Sequence, residues 1–83
     1  MGLTVIYRET AAAGLRHLRD EDKATFDRAR GAIRALAADP YPEDTVPWGG
    51  SGIYRLHYGR VRVLYEVNVD RQAVYILNVS IVP

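Results

Sequence analysis

Two runs rich in Val, Ile, Leu and Tyr, Ile53 to Tyr58 and Val61 to Val69, are separated only by Gly59-Arg60. A two-residue connection with Gly first closes a type II′ β-hairpin, and such a turn dictates the pairing. With Tyr58 opposite Val61, the next pairs are His57 with Arg62, Leu56 with Val63, Arg55 with Leu64, Tyr54 with Tyr65 and Ile53 with Glu66. Side chains alternate faces along a strand. Tyr54, Leu56, Tyr58, Val61, Val63 and Tyr65 therefore share one nearly apolar face, while Arg55, His57, Arg62 and Glu66 share the other with Ile53 and Leu64. A slip of one residue would bury charge among the tyrosines. The apolar face is expected to meet a second layer, with the tyrosine hydroxyls at its rim.

The rest of the chain supplies that layer. Ala73 to Val82 reads as a further strand after Asp70-Arg71-Gln72, so the last three strands form an antiparallel meander. Leu3-Thr4-Val5-Ile6-Tyr7 reads as an opening strand. Thr10 is expected to cap a short helix with Ala11, Leu15 and Leu18 on its apolar side. Asp20 is expected to cap a second helix, whose inner stripe is Phe26, Ala29, Ile33, Leu36 and Ala37 and whose outer side carries Lys23, Asp27, Arg30 and Arg34. Pro40 ends it. Residues 39–52 hold Pro40, Pro42 and Pro47 and the run Gly49-Gly50-Ser51-Gly52, which reads as a connector in which Trp48 either covers the end of the core, the favoured reading, or stacks on a base. These elements predict an α+β fold of order β-α-α-β-β-β, an antiparallel sheet with two N-terminal helices on one face. The opposite face is left for function.

Composition bounds the alternatives. At 83 residues the chain is read as a single domain, 1–83, and a 48% hydrophobic, 25% charged mixture suits a folded globule rather than a disordered segment. The absence of Cys excludes a disulfide framework and Cys-based zinc or iron–sulfur sites. His17 has no second ligand at helical spacing, and Gly49-Gly50-Ser51-Gly52 lacks the Lys-Ser/Thr and following helix of a phosphate loop. No metal and no cofactor is expected. The opening residues lack the basic head and apolar run of a signal peptide, and no stretch approaches the ~20 apolar residues of a membrane span. The reading is a cytoplasmic protein with no membrane partner.

A net charge of +1 argues against a broadly basic nucleic-acid coat protein. Charge is nevertheless concentrated. Between Ile53 and Tyr65 stand Arg55, Arg60 and Arg62 and no acid. Arginine offers paired donors to phosphate, and His57 can move a proton near neutral pH. Metal-free RNA cleavage needs a base at a 2′-hydroxyl, donors for the charged phosphorane and an acid for the leaving oxygen. The arginines meet the second need; His57 meets the first or third, and facing Arg62 it suits the base role.

The residues Tyr54-Arg55-Leu56 followed by Gly59-Arg60-Val61-Arg62-Val63-Leu64-Tyr65-Glu66-Val67 resemble the hairpin of the RelE/ParE superfamily, the toxins of bacterial type II toxin–antitoxin systems. The resemblance extends to the opening strand, the helix pair, the connector at Trp48-Gly49-Gly50 and the last strand. It implies the same α+β fold and a metal-independent endoribonuclease that cuts ribosome-bound mRNA, halts translation and growth, and is neutralised by a cognate antitoxin. Carried over by position, it implies that Arg62 stabilises the scissile phosphate and that basic residues of the hairpin grip the mRNA, with Arg55 and His57 standing where relatives have lysines or other basic residues. Read from the residues themselves, Arg55, His57 and Arg62 are the catalytic candidates, Arg55, Arg60 and Arg62 the RNA contacts, and Glu66 either an acid–base group or a plain ion-pair partner of the arginines. Nuclease members carry Arg, Tyr or His after the last strand, where this sequence reads Val79-Ser80-Ile81-Val82-Pro83. That departure keeps an alternative open: a ParE-like inhibitor of DNA gyrase, or a non-cleaving homologue that binds an antitoxin.

Overall fold

The computed structural model describes residues 2–83. In chain order the elements are β1 (Thr4–Tyr7), α1 (Glu9–Glu21), α2 (Lys23–Ala35), β2 (Thr45–Pro47), β3 (Ile53–Tyr58), β4 (Val61–Asn68) and β5 (Ala73–Ile81). The sheet order is β1-β5-β4-β3-β2. The β3–β4 register follows the turn chemistry pair by pair, from Tyr58↔Val61 to Ile53↔Glu66. Gly59 takes the positive φ of 58° that the turn requires.

Two features differ from the expected sheet. The opening strand joins β5 in parallel, with Thr4↔Ala73 through Tyr7↔Ile76, so the sheet is mixed. A parallel neighbour needs a crossover, which the helix pair and the meander provide. The connector, read as irregular, also contributes β2, whose Thr45, Val46 and Pro47 pair with Leu56, Arg55 and Tyr54. Proline is tolerated there because β2 is an edge strand.

The helix caps also differ from the expected ones. Arg8 is the extended residue preceding α1, so Thr10 falls inside the helix, which runs for 13 residues rather than a short stretch. Glu9 instead favours the positive end of the helix. Asp22, not Asp20, caps α2: its carboxylate accepts from the Thr25 backbone N–H at 3.1 Å and from the Thr25 hydroxyl at 2.6 Å. Asp20 lies in the last turn of α1, so one residue separates the two helices.

The core lies between the helices and the apolar sheet face. Ala11, Leu15 and Leu18 of α1, with Ala29, Ile33 and Leu36, meet Leu56, Val61, Val63, Tyr65, Val67, Val74, Ile76 and Val79. Tyr54 and Tyr58 pack at its margin. Tyr65 is fully buried, and its hydroxyl donates to the Pro40 carbonyl at 2.6 Å and lies 3.2 Å from Thr45 Oγ1. The two contacts tie Pro40 and Thr45, at either end of the segment leading into β2, to the core.

One irregularity decides what the open face carries. Along β4 and β5 the pairing runs Arg62↔Ser80 and Leu64↔Asn78, then shifts to Tyr65↔Ile76. The shift is a β-bulge that leaves Leu77 as the extra residue. Strict alternation would place Val74, Ile76, Asn78 and Ser80 on one face. The bulge keeps Val74 and Ile76 in the core and turns Asn78 and Ser80 to the other side.

Candidate nucleic-acid interface

Two cross-strand rows cover the upper open face. One runs His57–Arg62–Ser80 and the other Val46–Arg55–Leu64–Asn78. Between them lies a cleft of about 160 Å³ lined by Trp48, Arg55, Arg62, Leu64, Asn78 and Ser80. Two of the six are guanidinium groups and none is a carboxylate, so the lining presents donors to an anion without an internal counter-ion.

Each arginine is held by its surroundings. Arg62 Nη1 donates to the Gly59 carbonyl at 2.6 Å and to the Val61 carbonyl at 3.1 Å, which anchors the guanidinium to the hairpin turn. Its Nε and Nη2 donors remain for a ligand. The Arg55 guanidinium lies 4.4 Å from the centre of the Trp48 ring. Such a cation–π contact contributes about 0.5–1 kcal/mol at an exposed site and fixes the orientation of both groups.

The other expected site residues are distributed around this cleft. His57 is exposed and faces Arg62 across the strand pair, outside the lining. Glu66 is half-buried between Ile53 and Tyr75 in the pairing, also outside the lining, and none of the ion pairs among the described residues involves it. Arg60, at the tip of the turn, lines a depression on the helix side with Leu18, Glu21, Asp22, Thr25, Val61 and Ile81. The hairpin cations thus divide between two sides of the molecule.

Trp48, read from the sequence as a lid on the core, lies instead in the cleft and is 48% exposed. Its neighbours Pro47, Gly49 and Gly50 break any apolar periodicity, a signal that favours exposure. No local signal in the sequence marks Asn78 and Ser80, because the bulge places them. Among the described residues there is no cluster of three or more His, Asp or Glu side chains able to hold a metal ion. Among the described residues no helix is long and apolar enough to cross a membrane.

The fold is similar to those of solved toxin structures. A chain of the RelBE2 toxin–antitoxin complex from Mycobacterium tuberculosis superposes with a TM-score of 0.83 at 21% identity, covering 99% of this chain and 100% of that one. The archaeal RelE–RelB complex from Pyrococcus horikoshii gives 0.83 at 26% identity, over 98% and 96%. The isolated RelE toxin of E. coli gives 0.82 at 16% identity, over 98% and 85%. No curated protein matches the sequence. The family model of the ParE toxin of type II toxin–antitoxin systems, parDE, matches residues 5–80, and with that match spanning nearly the whole chain this protein belongs to the ParE toxin family, within the RelE/ParE superfamily.

Proposed function

We propose that this toxin cuts mRNA on the ribosome, in the cytoplasm, and is neutralised by a cognate antitoxin. The observation that carries the reading is the convergence of Arg55 and Arg62 on a cleft without carboxylates. Arg62, anchored through Nη1, presents its remaining donors to the oxygens of a scissile phosphate, where negative charge builds as the phosphorane forms. Arg55 binds the adjoining backbone, and Arg60 extends the contact around the turn. His57 takes the proton of the 2′-hydroxyl as its oxygen attacks phosphorus. The P–O5′ bond breaks, leaving a 2′,3′-cyclic phosphate, and the departing 5′-oxygen gains a proton. His57 stands directly across the strand pair from Arg62, whereas Glu66 is four residues along β4 from it, so an acid from the ribosomal surroundings completes the transfer. That requirement gives a physical reason for ribosome dependence.

A second surface supports the antitoxin. Tyr7, Ala12, Leu15 and Phe26 floor a groove of about 260 Å³ whose rim carries Arg16, Arg19 and Arg30. An apolar floor with a cationic rim suits an acidic amphipathic segment. Two of the similar structures described above are toxin–antitoxin complexes.

The test is to incubate the protein with programmed ribosomes and map new RNA ends. Wild-type protein is expected to generate them, and Arg62→Ala to slow cleavage by roughly 10²–10³-fold. An equal rate in the variant would remove Arg62 from the mechanism. The match to the ParE family model favours one second reading, inhibition of DNA gyrase. Intact message together with blocked supercoiling by purified gyrase would establish it.

A further inference from the structure

We propose that the Trp48–Arg55 pair and Asn78 form a nucleobase subsite, in which one base of a single-stranded RNA stacks on the pair and presents its edge to the Asn78 amide. The inference rests on the RNA reading of the open face and extends it from phosphate chemistry to base selection.

Four observations converge on it. The Trp48 indole is 48% exposed while Arg55 holds it in place from one side at 4.4 Å. Aromatic rings and guanidinium planes are the surfaces on which unstacked RNA bases rest. Asn78 enters the same cleft opposite Leu64, carrying a donor and an acceptor side by side, the pattern that reads a base edge. The cleft, about 160 Å³, is below the ~300–1,000 Å³ of sites that enclose a drug-sized ligand, so it admits one planar ring rather than a folded molecule. Finally, the Arg55–Leu64–Asn78 row is two residues along the strands from the Arg62–Ser80 row. That is about 7 Å, the reach from a phosphate to the base of the same nucleotide. An anion site alone would not need the exposed indole or the amide.

Trp48 is the only tryptophan, so its emission reports on this cleft directly. The full chain is titrated with a short single-stranded oligoribonucleotide and with an abasic oligomer of equal length carrying the same phosphates. The base-bearing oligomer is expected to quench the emission and to bind roughly tenfold or more tightly than the abasic one. Asn78→Ala is expected to retain the quenching and to level the affinities for homopolymers of the four bases, a change that a purely structural role would not produce. Unchanged emission with both oligomers overturns the stacking platform, and unchanged base preference in Asn78→Ala overturns the role of the amide. Quenching by a protein that leaves ribosome-bound message intact would keep the subsite and reject the nuclease.

Discussion

Gly14 of α1 lies directly against the Val79 carbonyl of β5, so close that a Cβ at position 14 would overlap that oxygen. The neighbour is backbone and cannot swing aside. Gly14→Ala is therefore expected to lower stability by about 1–3 kcal/mol, although alanine is the better helix former. Gly31 in α2 has nothing within 4 Å of the same construction, and Gly31→Ala is expected to raise stability by about 0.5–1 kcal/mol. Urea midpoints of the two variants should move in opposite directions. Movement in the same direction would contradict the close approach of α1 to the sheet.

Asp22 contributes to the acid limb of stability. Hydrogen bonds from the Thr25 side chain and then its backbone hold the carboxyl below its ordinary 3.8. A lowered folded-state pKa contributes stability that is present above the ordinary value and is lost as pH falls through the folded one. Asp22→Asn keeps the cap at neutral pH and is expected to lose less stability than the wild type on acidification below about pH 4. Parallel acid titrations of the two unfolding midpoints check this.

Tyr65, like Tyr7, contributes to the alkaline limb. Burial pushes its phenol above the ordinary 10.0, partly offset by its hydrogen bond with Thr45. Because the folded-state pKa is raised, the contribution is complete below about pH 10 and is lost as pH rises through the folded value. Tyr65→Phe should cost about 0.5–1.5 kcal/mol at neutral pH through the bond to Pro40 and should soften the alkaline loss. Identical alkaline profiles for the two proteins would assign that loss to other tyrosines.

The RNA contact should be focused rather than broad. With Arg55 and Arg62 each neutralising one phosphate and Arg60 part of a third, log affinity for single-stranded RNA should fall against log salt with a slope of about −1.4 to −2.1. Arg62→Ala should reduce the slope by about 0.7, and Arg60→Ala by less, since Arg60 faces the helix side. A slope steeper than about −4 would indicate a diffuse basic surface instead.

The hairpin from Ile53 to Glu66 could be read from sequence alone because its determinants are local. Gly59 specifies the turn, the turn specifies the register, and alternation then assigns Arg55, His57 and Arg62 to the open face and Leu56, Val63 and Tyr65 to the core. The inner stripes of both helices were legible for the same reason, since spacings of three and four report directly on a helical face, except at the C-terminal end of the second: α2 stops at Ala35, so Leu36 reaches the core from just past the helix and Ala37 lies outside the core. The cap of α2 was missed because Asp20 is as suitable by residue type as Asp22, and only the one-residue turn between α1 and α2 selects between them; Thr10 falls inside α1 because Arg8, bonded to the Ile76 carbonyl, is the last extended residue before it. Tertiary structure alone decided that β1 runs parallel beside β5, that the connector lends β2 to the edge, and that Trp48 lies against Arg55. It also decided the cleft, because the bulge at Leu64/Tyr65 reverses which side of β5 faces the core. Alternation within β5 holds Val74 and Ile76 inward, and only the mismatch with β4 turns Asn78 and Ser80 toward the arginines. A register shift between two strands is a property of their pairing, which neither strand encodes by itself.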